Sequence, residues 1–185
     1  MINEVINAVK VLNSGGLILY PTDTVWGIGC DATNPEAVKK IYEIKKRKKE
    51  NALICLVSNI DMLKDYIPRI PKRYESLITD KTPTTIIYSN PAGIAFNLLA
   101  KDNSLGIRIP NHKFCSQLIT EFSKPIVSTS ANISQHKTPS KYSEIAPTIL
   151  EGVDHVVNLQ KEKKSSLPSR IFKINIKGEL QIIRE

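Results

Sequence analysis

The sequence predicts an α/β fold: one domain over residues 1–185, built on a twisted mixed sheet with flanking helices. Three observations carry this. Segments with apolar residues at helical spacing interleave with short apolar runs of strand length. Residues 170–184 alternate around Lys177-Gly178 as a terminal hairpin. The composition, 41% hydrophobic and 24% charged over 185 residues, is that of a globular chain, long enough to bury about 70% of its unfolded surface.

The elements follow in order. Ile2, Val5, Ile6, Val9 and Leu12 mark one face of a helix, and Gly15-Gly16 stop it. Leu17 to Tyr20 reads as a buried strand ended by Pro21, which has no N–H for a ladder. Pro21 to Ala32 reads as a polar, glycine-containing loop. Asn34-Pro35-Glu36 is an N-cap, N1 and first-turn sequence, and Ala37, Val38, Ile41 and Ile44 give the face of the helix it opens. That helix runs into five consecutive cations, Lys45 to Lys49. Ala52 to Val57 is a second buried strand, followed by a short helix, Ile60 to Tyr66. Thr84 to Tyr88 and Leu105 to Ile109 are further strands. Phe114, Leu118, Ile119 and Phe122 mark a helix after Asn111. Ile126-Val127 lead a strand into the polar loop Ser128 to Pro139. A short helix is expected between Ser143 and Leu150, where Pro147 argues against regularity, and a strand from His155 to Leu159.

Composition narrows the function. A net charge of +8 favours anionic partners such as nucleotides or nucleic acid. Cys30, Cys55 and Cys115 form no CxxC pair, and His112, His136 and His155 form no HxH or HExxH motif, so a protein-held metal is not expected. Reduced thiols in a cytoplasmic protein are the simplest account. No apolar stretch is long enough to span a bilayer, so no membrane partner is expected.

No GxxxxGK[ST] motif occurs, and Gly27-Ile28-Gly29 lacks the third glycine of a dinucleotide fingerprint. Phosphates would need another device. Five adjacent cations at a helix end exceed what the helix dipole can use, so the Lys45–Lys49 cluster is a candidate phosphate site. Ser128-Thr129-Ser130-Ala131-Asn132 follows a strand, where α/β proteins place ligands, and offers uncharged donors and acceptors; it also has the composition of an ordinary turn. Arg108 stands among apolar residues and needs either an internal salt bridge or a carboxylate or phosphate ligand. Asp23, Asp31 and Asp102 make no obvious acid pair, and no nucleophile–base pair stands out. Positioning and charge stabilisation suffice for transfer at phosphorus.

Together these residues resemble the YrdC/TsaC family, the L-threonylcarbamoyladenylate synthases. The matching stretches are LILYPTDTVWGIGCDA, IYEIKKRKKENALICLV, SLGIRIPNH, KPIVSTSANISQHKTP, LPSRIF and LQIIRE, from Leu17 to Arg184. The resemblance implies a short single-domain member with a large basic concave surface. It implies synthesis of threonylcarbamoyladenylate from L-threonine, bicarbonate and ATP with release of pyrophosphate. That product serves threonylcarbamoyladenosine modification of tRNA next to the anticodon, through a downstream threonylcarbamoyl transferase complex; direct tRNA contact stays open.

Carried over by position, Lys45, Arg47, Asn51, Ser104, Ser130, Thr138 and Arg184 would bind ATP, with Lys45 and Arg47 offsetting charge. Thr24, Arg108, Ser128 and Ser169 would bind threonine, and Asn132 would support the loop. Mg2+ would be bound mainly through the ATP phosphates. The chain departs from the family pattern at Trp26, Lys48, Ala52 and Leu56, and only partly keeps the usual glycine-proline stretch at Thr82 to Thr85. Two other readings stand beside this one. A noncatalytic RNA-binding module would use the same basic surface, although 6% aromatics offer little for base stacking. A carbamoyl-transfer domain like those of hydrogenase maturation factors would keep catalysis and change the substrate.

Overall fold

A computed structural model describes residues 1–47, 53–175 and 177–185. Among the described residues nine strands form one mixed sheet in the order β7-β1-β2-β6-β3-β5-β4-β8-β9. They are β1 (Ile18–Tyr20), β2 (Gly27–Gly29), β3 (Ile54–Leu56), β4 (Thr84–Ser89), β5 (Ser104–Arg108), β6 (Ile126–Ser130), β7 (His155–Val156), β8 (Arg170–Ile174) and β9 (Leu180–Arg184). The β1/β7, β3/β5 and β4/β8 pairs are parallel, and the rest are antiparallel. The mixed sheet expected from the sequence is the one observed.

Helices cover the two faces unequally. Side chains on a strand alternate between faces, and the buried apolar residues divide accordingly. Leu19, Ile28, Cys55, Ile86, Ile107 and Val127 face the larger core, closed by Ala37, Val38 and Ile41 of α2 (Pro35–Ile44) and Leu63 of α3 (Ile60–Tyr66). Ile18, Tyr20, Leu56 and Ile126 point the other way. They meet Val5, Ala8 and Leu12 of α1 (Ile2–Asn13) and Phe114, Leu118, Ile119 and Phe122 of α5 (Lys113–Phe122). The α1/α5 pair stops short of the polar residues at the ends of β5 and β6, so part of this second face lies open.

The helix starts obey local chemistry. Asn34 accepts N–H bonds from Glu36 and Ala37 with Pro35 at the first position, and Asn59 caps α3 by accepting from Met62. α5 is capped by His112, whose ring accepts the Cys115 N–H. α4 (Glu75–Ile78), with the tight turn before it, had no sequence expectation. Pro147 opens α6 (Pro147–Glu151), where its missing N–H costs nothing; a separate 3₁₀ turn occupies Tyr142–Glu144, so the expected Ser143–Leu150 helix is two pieces.

Two loops expected from the sequence are partly strand. Within Pro21–Ala32, Gly27–Gly29 pairs on both sides, with β1 and with β6. Glycines suit this site because neighbouring chains press close: a Cβ on Gly29 would lie 2.7 Å from Tyr20 Cε1 and 2.8 Å from the Val127 carbonyl. Within Ser128–Pro139, β6 continues through Ser130. Polar composition signalled a turn at both places; tertiary pairing overrode it. The expected strand from His155 is confined to His155–Val156.

Candidate active site

The open part of the second face is a cavity of about 300 Å3, at the lower end of the range for small-molecule sites. Register builds its floor. Ile54 pairs with Ser128 on one side and Gly106 on the other, and Thr85 pairs with Ile171 on the neighbouring strands. Gly106 lies beside this floor, in an adjoining recess, where a Cβ would lie 3.1 Å from Ile54 and from Thr85.

Eight of the expected site residues line this cavity: Thr24, Arg47, Arg108, Ser128, Ser130, Thr138, Ser169 and Arg184. They come from the β1–β2 loop, the residue run after α2, β5, β6 and the loop beyond it, and the β8–β9 region. Arg47 and Ser130, 83 positions apart by their numbers, both line it. Among the described residues the lining holds three guanidinium groups and no carboxylate. Such a lining attracts anions and offers geometry suited to carboxylate and phosphate oxygens.

Individual contacts show how the wall is held. Gly27 pairs with Ser130, and a Cβ on Gly27 would come within 3.2 Å of the Ser128 hydroxyl. The Ser169 hydroxyl lies 2.8 Å from that of Thr85, and its carbonyl accepts from Arg184 Nη2 at 2.7 Å. Arg108 is buried, with Nη1 3.0 Å from Asp23 Oδ1 and both terminal nitrogens 3.4 Å from Thr24 Oγ1. Of the two readings of Arg108 left open by the sequence, the internal salt bridge is present, and the side chain also lines the cavity.

Three expected site residues stand elsewhere, and one falls on residues that are not described. Lys45 is fully buried behind the wall instead of lining it. Its ammonium donates to the Ser130 and Asn132 carbonyls, the latter at 2.6 Å. Burial first, then the charge of Arg47, pulls its pKa down to about 7, while the carbonyls favour the protonated amine. A lysine in a basic run signals surface charge, and sequence spacing alone could not show that α2 ends against the β6 loop. Ser104 lines an adjoining recess with Leu53, Ile54, Thr85 and Gly106, and its hydroxyl donates to Asp102 Oδ1. Asn132 closes its loop by donating from Nδ2 to the His136 carbonyl at 2.6 Å. Asn51 lies outside the described residues.

Sequence reading missed Thr22, Thr85 and Pro168, which also line the cavity. The PTDT run carries a second threonine that signals Thr22, whose hydroxyl lies 3.1 Å from that of Thr24. Thr85 reads as an ordinary strand residue. No nucleophile appears among the cysteines: Cys30, Cys55 and Cys115 are buried, and burial pushes all three thiols up.

An α/β sheet with one face left open as a guanidinium- and hydroxyl-lined cavity defines a protein built to hold a small anionic ligand and orient it. Residues 10–185 match the Sua5/YciO/YrdC family, described as telomere recombination, and the chain belongs to that family. It is similar to the threonylcarbamoyl-AMP synthase of Xanthomonas oryzae pv. oryzae (strain PXO99A), 32% identical over 156 residues, 82% of this chain and 83% of that one. The protein of the same name from Pseudoalteromonas translucida (strain TAC 125) is 34% identical over 157 residues, with the same coverage. The fold superimposes on E. coli YciO with a TM-score of 0.85 at 22% identity, covering 100% of this chain and 90% of that one. P. abyssi Sua5 complexed with L-threonine gives a TM-score of 0.82 at 24% identity, over 91% of this chain and 50% of that chain.

Proposed function

We propose that this chain is a threonylcarbamoyl-AMP synthase, joining L-threonine, bicarbonate and ATP with release of pyrophosphate and water, in support of threonylcarbamoyladenosine formation in tRNA. The observation that carries the reading is convergence: eight side chains from distant segments of the family-like motifs line one cavity. The name borne by relatives over 30% identical across most of both chains points the same way. It favours an enzyme over an RNA-binding module.

The cavity divides by chemistry. Arg108, Thr24 and Ser128 form an end suited to an amino acid, with a guanidinium for the carboxylate and hydroxyls for the polar side chain. Arg47, Ser130, Thr138 and Arg184 supply charge and donors for the triphosphate. In the reaction the threonine amine adds to bicarbonate-derived CO2, and the resulting carbamate oxygen attacks the α-phosphorus as pyrophosphate leaves. Arg47 and Arg184 offset the negative charge that accumulates on the phosphate oxygens. Arg108 and Ser128 hold the carbamate near its target, which lowers the entropic barrier. No protein nucleophile takes part. The lining donors, hydroxyls and guanidiniums, fit phosphate oxygens and not a bare cation, so Mg2+ would enter on ATP and add charge neutralisation there.

The test uses purified protein with Mg2+, ATP, bicarbonate and L-threonine. Pyrophosphate release that requires threonine, with threonylcarbamoyladenylate detected by mass, is the expected result. Release that ignores threonine, or none at all, overturns the reading.

A further inference from the structure

Arg108 is ion-paired, without a hydrogen bond to the facing oxygen, with a carboxylate that the cavity lining does not include. Its Nη1 lies 3.0 Å from Asp23 Oδ1, with the two side chains 3% and 6% exposed. Asp23 is fixed in turn, because its Oδ2 accepts the Asn111 N–H at 3.1 Å. One aspartate therefore ties the β1–β2 loop to the end of β5 and to the approach to α5. The guanidinium is not saturated by this. A guanidinium has five N–H donors; here both contacts to Thr24 are long, at 3.4 Å, and Nε has no hydrogen-bond partner among the described residues. Arg184, across the cavity, donates instead to a neutral carbonyl, that of Ser169.

We propose that Asp23 is a positioning and specificity residue: it sets the Arg108 guanidinium for a single amino-acid carboxylate and, by compensating its charge, keeps that end of the cavity from taking phosphate. This rests on the synthase reading above. An isolated arginine attracts any anion, and a multiply charged phosphate more than a carboxylate. A guanidinium already neutralised by a buried carboxylate gains less from a second, highly charged ligand. It retains the N–H geometry that a zwitterion's carboxylate needs. The cavity must hold a triphosphate and an amino acid side by side, so its arginines have to differ. Asp23 makes Arg108 differ from Arg184.

A purely structural counterion would also stabilise a buried arginine, so the test must read more than folding. Asp23→Asn keeps the shape and removes the charge. Its initial rates of pyrophosphate release are measured against threonine at saturating ATP, then against ATP at saturating threonine, and again with inorganic phosphate as inhibitor. The expected result is a threonine KM raised about tenfold or more with the ATP KM within about twofold, together with stronger phosphate inhibition relieved by threonine. An unchanged threonine KM, or equal rises for both substrates, overturns the proposal. If Asp23→Asn does not fold, Asp23→Glu is read in the same way. It keeps the charge but displaces it by a methylene, and a smaller rise confined to the threonine KM is expected; none overturns the proposal. Wild-type protein with no threonine-dependent release removes the synthase reading and this inference together. Active wild-type protein with an unaltered Asp23→Asn threonine KM removes this inference alone.

Discussion

The Lys45 ammonium donates to the Asn132 carbonyl at 2.6 Å, joining the C-terminal end of α2 to the loop that follows β6. The neighbouring Ser134 N–H donates to the Lys45 carbonyl at 2.8 Å, so the two segments are stitched in both directions. Arg47, two residues on, reaches the cavity from this junction.

Lys45→Met removes the cation and keeps the bulk. Stability should fall by about 1–3 kcal/mol, the usual cost of leaving buried acceptors without a donor, as measured by denaturant unfolding. The difference from wild type should depend on pH. With a folded pKa of about 7 against the ordinary 10.5, the unfolded state binds the extra proton between these values. Wild-type stability relative to the variant therefore rises with pH across that window and is lowest below about 7. A pH-independent difference would show that Lys45 titrates normally.

Arg47→Ala should leave folding intact and reduce kcat/KM for ATP by roughly 10- to 100-fold. That is the loss expected of one charged hydrogen-bonding group worth about 1.5–3 kcal/mol. Kinetics unchanged from wild type would remove Arg47 from the phosphate end of the cavity.

Ser128→Ala tests the other end. The side chain is buried beside Gly27, and losing its hydroxyl should raise the threonine KM several-fold, about 1 kcal/mol, while the ATP KM holds. A parallel rise for ATP would show that the serine shapes the whole wall.

Gly29→Ala tests the reading of GIG as a strand. With Tyr20, Ile126 and the Val127 carbonyl all inside 3.0 Å of the added Cβ, the sheet must shift, at a cost of about 1–3 kcal/mol. A melting temperature equal to wild type would mean that the strands are looser than described.

Much of this architecture is legible in the sequence. Asn34-Pro35 and the apolar spacing behind it specify α2 because capping and amphipathicity are local, and Ile60–Tyr66 was read with its observed limits. Where reading went astray, long-range contact was responsible. Gly27–Gly29 has no strand propensity of its own and becomes a strand because two neighbours pair with it. Ser128–Ser130 looks like a turn and extends a ladder. The surroundings of Ser104 are likewise set at long range: its hydroxyl donates to Asp102, which the Lys173 ammonium, first among several partners, holds down to about 2.

Which residue types line the cavity was written in the chain's motifs, since guanidiniums and hydroxyls announce the oxygens they suit. Which of two cations a helix end turns to the cavity, and which it buries, was settled only when α2 docked on the β6 loop and left Lys45 inside and Arg47 out. Charge is a property of a residue. Exposure of that charge is a property of the packing around it, and packing joins segments that no window of sequence contains.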